Sequence, residues 1–405
     1  MRLLSGLAVC ALGLGCTEAQ ESQGPVVSDS TGIRIVEYPS GFSEGPVIRL
    51  DPDSAVRIGA LDGEAPYTFS QVTGAVALED GLIVVADGMA RELRWFAPDG
   101  SHLRTAGRRG EGPGEFMFLG RMDRFQADTL AVVDRGRATI SFFTSRGELA
   151  GSLRPGEVPE SGPTPDGGFV VELPEVLGLF DNGDLLARGI IAWPDVPTGV
   201  RDDLIPLLRF DRARGEWILL GQVKGVEVFI SREGGANDGM LLPFGLRRYV
   251  APSDDWYVIG WGDEQGLSIH DRDGALRTWI RPNLPRLPIT PLDIRREREE
   301  SLASVDQAVR GRREGMWEIL PVPDRMPAHG PVLVGAGEEI WVRAYAEDSE
   351  GTFTWHVFSR SGEYQKAVKV PGTIELTYVG SERVVGIERD EYDVPTVVVF
   401  ERPSA

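Results

Sequence analysis

The stretch T-A-G-R-R-G-E-G-P-G-E-F, Thr105 to Phe116, holds four glycines and a proline within eight residues. Glycine at this density either cradles phosphate with backbone N–H groups or lets the chain reverse through positive φ. A phosphate loop needs G-x-x-x-x-G-K-[ST] or a strand that runs into a helix, and neither occurs here. The stretch is therefore read as a turn between strands. A second set of residues combines charge and aromatic surface: Asp87, Arg91, Asp134, Arg137, Trp261, Tyr345 and Arg389. Carboxylates, guanidinium groups and rings gathered on one face can hold an anion, a sugar or a metal. A structural reading stands beside this one. Asp at a strand end accepts backbone N–H bonds and fixes a turn, and Trp261 and Tyr345 can serve packing.

Catalytic constellations are sparse. A zinc site built on several histidines has only His102, His270, His329 and His356 to draw on, and these are scattered. The acidic runs D-E-Y-D (390–393) and A-E-D-S-E (346–350) lack the D-x-D-x-D-G order of a calcium loop. No G-x-S-x-G is present.

The elements that must position these residues recur along the chain. G-L-I-V-V-A-D (81–87) leads to E-L-R-W-F-A-P-D-G (92–100) and H-L-R-T-A-G (102–107). D-T-L-A-V-V-D (128–134), A-T-I-S-F-F-T-S-R-G (138–147) and E-L-A-G-S-L (148–153) repeat the order. Short runs of Val, Ile, Phe and Trp between Asp/Gly turns are strand chemistry. Further copies centre on L-L-R-F-D-R-A-R-G (207–215), L-S-I-H-D-R-D-G (267–274) and T-W-H-V-F-S-R-S-G (354–362). Each ends in a glycine expected to turn the third strand into the fourth. Four-stranded units at this spacing predict propeller blades. The last unit, E-R-V-V-G-I-E-R (382–389) with T-V-V-V-F-E-R-P (396–403), lacks a fourth strand. The segment S-A-V-R-I-G-A-L-D-G-E-A-P-Y-T-F (54–69) parallels 102–116 and is expected to supply it. The expectation is an all-β, six-bladed β-propeller closed by the N-terminal strand.

The Asp87-x-x-x-Arg91 spacing resembles the NHL-type repeat, with Asp134 and Arg137 as a looser copy. G-R-R-G-E-G-P-G-E-F is similar to the signature of a bacterial six-bladed β-propeller family with many exported lipoproteins. The resemblance covers residues of about 32–405 and implies fold and location, with little chemistry. One insertion departs from the pattern: residues 290–314 are predicted to form one helix, N-capped by Thr290. Its face of Leu302, Val305 and Val309 either fills a gap between blades or forms a lid.

The chain has 405 residues, with 62 acidic against 42 basic side chains and a formal charge of −20. Such a surface repels nucleic acid. Residues 1–16 carry a short apolar run that ends at Cys16, similar to a bacterial lipoprotein signal in which that cysteine is lipidated; plain secretory cleavage is the alternative. Both cysteines, Cys10 and Cys16, lie there, so no disulfide is expected in the folded part. Residues 17–31 are expected to be a flexible tether and 32–405 the propeller. We read the chain as a monomeric, non-catalytic binding or scaffold module at the cell envelope. It recognises a protein or glycan partner, is lipid-anchored at Cys16 and needs no cofactor. The alternative is a calcium-dependent, lactonase-like hydrolase or lyase with its site in the central channel.

Overall fold

The computed structural model describes residues 24–39, 45–126, 128–156, 158, 169–192, 197–202, 204–232, 238–263 and 265–402. The signal segment, Cys16 and the tether up to residue 23 lie outside the described residues.

The chain is mainly β, and its sheets follow one another in sequence. The first unit is Val72–Ala77, Ile83–Asp87, Glu92–Phe96 and His102–Ala106, paired antiparallel in that order. The second is Leu119–Phe125, Thr129–Asp134, Thr139–Thr144 and Leu149–Leu153. The third is Phe169–Leu179, Leu185–Ala192, Leu204–Asp211 and Glu216–Lys224. The fourth runs from Tyr249–Pro252 through Trp256–Gly260 and Leu267–Asp271 to Leu276–Arg281. The fifth is His329–Gly335, Glu339–Ala344, Thr352–Ser359 and Tyr364–Pro371. Ile374–Val379, Arg383–Arg389 and Pro395–Glu401 form the sixth, and Val56–Ile58 pairs antiparallel with Val397–Val399 as its fourth strand. The first strand of each unit lies beside that of the next, and the sixth unit's lies beside the first's.

Strands flanked on both faces bury consecutive residues, which is why Ile83 to Asp87 are all buried. The apolar core is accordingly divided into clusters between neighbouring sheets. Trp95, Phe116 and Leu130 lie between the first and second units, and Trp341, Trp355 and Val398 between the fifth and sixth. The turn from third to fourth strand carries a positive-φ glycine in five units: Gly100 (+87°), Gly147 (+76°), Gly215 (+70°), Gly274 (+91°) and Gly362 (+89°). These are the glycines of the sequence repeat.

The N-terminal segment does more than supply one strand. Val26–Ser30 and Ile33–Glu37 form a hairpin across Thr31–Gly32, whose φ values of +55° and +83° suit a two-residue turn. Residues 26–30, expected as tether, are thus in an exposed strand held by the hairpin turn and by pairing with Ile33–Glu37. Ile33–Glu37 then adds parallel to Leu276–Arg281, and Val47–Arg49 adds parallel to the outer strand of the fifth unit. The segment therefore crosses the outer edges of the fourth, fifth and sixth units in turn.

The expected helix is two helices, α1 (Pro291–Ala303) and α2 (Gln307–Ile319). Thr290 caps α1 in a capping box with Asp293. Ser304 closes α1, and Asp306 in extended conformation starts α2, so the 290–314 stretch bends and runs on to residue 319. A three-stranded sheet of Gly199–Arg201, Val228–Ser231 and Asp238–Leu241, not foreseen from the sequence, packs with them. Phe229, Met240, Leu302, Met316 and Trp317 form their common core, and Arg312 bridges to Asp238 at 3.3 Å. Leu302 is buried as expected, whereas Val305 and Val309 are only half-buried.

Candidate functional site

The glycine-rich stretch folds around its own glutamate. Glu115 accepts the Gly112 N–H at 2.8 Å and pairs with Arg108 at 2.6 Å, while the Phe116 N–H is bonded to Arg108 O. A Cβ at Gly110 would sit 2.0 Å from Glu115 Oε2. The loop's N–H groups face inward, which is turn geometry.

Asp87 is fully buried and accepts the N–H groups of Ser70, Gln71 and Ala90. Arg94 stands 3.4 Å away and also donates to Thr68 O. Asp134 repeats the device on Met117, Phe118 and Gly136. Each aspartate ties the end of a second strand to the loop that enters its own sheet. Arg91 donates to Met117 O and Met89 O, and Arg137 to Gly112 O. Arg389 is exposed and turns back onto Asp393 of its own hairpin. Trp261 is buried with the Lys224 ammonium 5.6 Å from its ring centroid. These positions are apart from Tyr345, and sequence did not indicate the residues that Tyr345 actually meets.

Those residues come from two Arg-x-Tyr stretches. Arg247 and Tyr249 lead into the first strand of the fourth unit, and Arg343 and Tyr345 end the second strand of the fifth. Residues i and i+2 of extended chain share a face, so each stretch presents a guanidinium and a phenol together. Half-buried Glu297 of α1 faces the same group. Burial pushes the Tyr345 phenol up to about 12; Arg247 and Arg343 pull it down, and Glu297 and Tyr249 push it up. Tyr249 is likewise raised by burial against the pull of Arg247 and Arg343. Arg343 is lowered by burial, its guanidinium stacked 4.1 Å from the Phe353 ring centroid. Its Nε is buried without an acceptor. No hydrogen bond or ion pair to another described residue occupies the side chains of Arg247, Tyr249, Glu297, Arg343 or Tyr345.

Two guanidinium groups and two phenols without hydrogen-bond or ion-pair partners among the described residues offer many donors to one incoming group, and an oxyanion accepts several at once. An apolar pocket of about 230 Å³, lined by Leu284, Leu287, Met326 and Pro327, adjoins Tyr345. A larger cavity of about 660 Å³ opens where the first and second units meet the third, with Arg91, Arg121, Arg135 and Glu175 in its wall. Arg121 is bound to Asp123 at 2.6 Å and Glu175 to Arg188 at 2.5 Å, but the exposed Arg135 guanidinium has no partner among the described residues.

The acidic loop residues are engaged elsewhere. Asp348 accepts from Thr352 and Lys369, which hold its carboxyl below the usual range, and Glu388 pairs with Arg57. His329 is buried and neutral: Nδ1 donates to Gly330 O at 2.8 Å while Nε2 accepts the Gly262 N–H at 3.0 Å. No group of three or more His, Cys, Asp or Glu side chains forms a metal site among the described residues.

No protein-family model matches the chain, and no curated protein matches it. Solved structures similar to it include a member of the DUF4221 family from Bacteroides vulgatus, 12% identical, covering 87% of this chain and 97% of that one at a TM-score of 0.47. The calcium-binding protein regucalcin from Agrobacterium tumefaciens is 10% identical, covering 89% and 97% at 0.39. Virginiamycin B lyase from Staphylococcus aureus is 12% identical, covering 83% and 97% at 0.36. Likeness at this level leaves the chemistry of the site to its own residues.

Proposed function

We propose that the chain is a six-bladed β-propeller that works as a non-catalytic binding module, its ligand carrying an anionic group held by Arg247, Tyr249, Arg343 and Tyr345. The propeller reading is supported by the six consecutive four-stranded units, by the cyclic order of their first strands and by the pairing of Val56–Ile58 with the last unit. The NHL-like spacing of Asp87 and Arg91 agrees with it. The observation that carries the binding reading is the set of unpartnered guanidinium and phenol groups in a protein of net charge −20. Arg343 Nε is buried, and a buried donor is unfavourable unless something accepts from it, while exposed Arg247 stands at the mouth of the group with its charge open to an incoming anion.

The apolar run ending at Cys16 supports export and lipid anchoring. On that reading the partner is an acidic glycan or an acidic protein segment at the cell envelope, met by a monomer.

The test is calorimetric titration with a sulfated or uronate-containing oligosaccharide, an acidic peptide and their neutral counterparts. Binding confined to acidic probes, lost in an Arg247→Met/Arg343→Met double variant of unchanged melting temperature, supports the reading. Equal binding of neutral and acidic probes, or a double variant that binds like the wild type, overturns it.

A further inference from the structure

A separate cleft of about 320 Å³ lies between the outer strand of the third unit and the fourth unit, walled by Lys224, Arg248, Trp261, His270 and Trp279, with one carboxylate, Asp263, whose Oδ1 accepts the Gln265 N–H at 2.9 Å. Most of this wall is held in place. Trp279 Nε1 donates to Gln265 O at 2.6 Å, with Arg281 over its ring at 4.9 Å. His270 stacks on Tyr257 with centroids 5.1 Å apart, its nitrogens on Gly274 O and Ser268 Oγ.

Two wall residues differ. Trp261 and Arg248 are each 9% exposed, and Trp261 Nε1 and Arg248 Nε are buried with no acceptor among the described residues. Arg248 spends Nη1 on Lys224 O at 2.6 Å, which fixes the guanidinium and leaves Nε unmet. Lys224 lies against the Trp261 ring and is 3.8 Å from the exposed Asp202 carboxylate. Burial, with Arg188 nearby and Glu175 opposing, lowers Arg248 to about 10, so a negative charge in the cleft would be welcome. Indole walls favour a ring, because flat faces exchange water for close contact. The volume fits a ligand of one or two rings.

We propose that this cleft binds a small ring compound bearing a carboxylate, the ring against the two indoles and the carboxylate oxygens on Lys224, Arg248 and the Trp261 N–H. Two sources share that chemistry, an aromatic acid and a uronic acid sugar, and the experiment separates them. The whole protein is titrated with benzoate and with glucuronate, and with benzyl alcohol and glucose as uncharged counterparts, following heat and tryptophan fluorescence. One acid binds at least about tenfold more tightly than its uncharged counterpart. Benzoate as the binder identifies an aromatic acid, and glucuronate a uronic acid. Lys224→Met, at an exposed ammonium, and Trp261→Phe, which keeps a ring and removes the donor, each weaken that binding by about tenfold. The Lys224-dependent part of the binding persists in Arg343→Met, which removes only binding at the other cluster. The proposal is overturned if neither acid binds at about 10 mM. It is equally overturned if binding survives Lys224→Met intact, or is lost in Arg343→Met instead.

Discussion

The guanidinium of Arg343 lies 4.1 Å from the centroid of the Phe353 ring and has no carboxylate or carbonyl of a described residue on its nitrogens. The ring holds the plane of the guanidinium while leaving its N–H edge free, a role that a lysine ammonium cannot fill. Arg343→Lys is therefore expected to weaken acidic-probe binding by at least about tenfold, nearly as much as Arg343→Met. Calorimetry on the two variants beside the wild type checks this, and a lysine variant of full affinity would show that charge alone suffices.

The two loop-fastening aspartates are expected to differ in cost. Asp87→Ala strips three backbone N–H groups and also leaves Arg94, 5% exposed, without its buried counter-ion. Removing one partner of a buried pair costs about 3–5 kcal/mol, and Glu92, 2.9 Å from the same guanidinium, holds this case to the low end. Asp134 serves only backbone N–H groups, so Asp134→Ala should cost about 1–3 kcal/mol. Urea unfolding of both variants gives the order, and neither change should alter acidic-probe affinity.

Gly107 and Gly114 separate space from backbone conformation in the same loop. A Cβ at Gly107 (φ +86°) would meet the Phe116 ring at 2.8 Å and Arg91 O at 3.0 Å. At Gly114 (φ +74°) the nearest atoms are 3.9 Å away. Gly114→Ala should cost about 1–2 kcal/mol through positive φ alone, and Gly107→Ala clearly more. Melting temperatures measure the difference, and added inorganic phosphate should shift neither variant if the loop is a turn.

Glu297 gives the anion cluster a pH dependence. Burial raises its carboxyl above the ordinary range, Glu300 adds to this and Arg247 opposes it. Ionised, it competes with a ligand for Arg247; protonated, it does not. Affinity for a sulfate-bearing probe, whose own charge is constant, should rise as the pH falls from neutrality into the carboxylate range. Glu297→Gln should bind tightly and without that slope. The linkage to folding has the same sign: a raised carboxyl pKa means the native state holds the proton more firmly, so this contribution to stability is lost as pH rises through it. A wild-type slope that persists in Glu297→Gln would assign the effect to another group.

The repeat was legible because its turns demand glycine at fixed offsets and its strands demand apolar runs. Gly100, Gly147, Gly215, Gly274 and Gly362 could all be placed by spacing alone. The break between α1 and α2 was not legible, since Ser304 and Asp306 punctuate a pattern whose charge and propensity continue on both sides. Of the expected site residues, Tyr345 falls in the anion cluster and Trp261 in the second cleft, whereas Asp87 and Asp134 are absorbed by backbone bonds. Arg247 and Arg343 escaped notice although R-R-Y and R-A-Y carry a visible i, i+2 pairing. Nearly a hundred residues separate the two stretches, and only the packing of the fifth unit against the fourth brings them together.

The N-terminal strands impose an order on assembly. Beyond the local hairpin of Val26–Ser30 with Ile33–Glu37, the strands Ile33–Glu37, Val47–Arg49 and Val56–Ile58 join the fourth, fifth and sixth units, far along the chain. During synthesis these strands must therefore wait undocked while the units between them and their distant partners form. Closing so long a loop costs entropy before any of those pairings is gained, which favours a late and slow final step. Until that step the sixth unit exposes the edge of Pro395–Glu401 as a row of open hydrogen-bonding groups, a surface on which a second unfinished chain could add its own strand. Docking of the leading segment is then both the last act of folding and the one that ends the chain's exposure to aggregation.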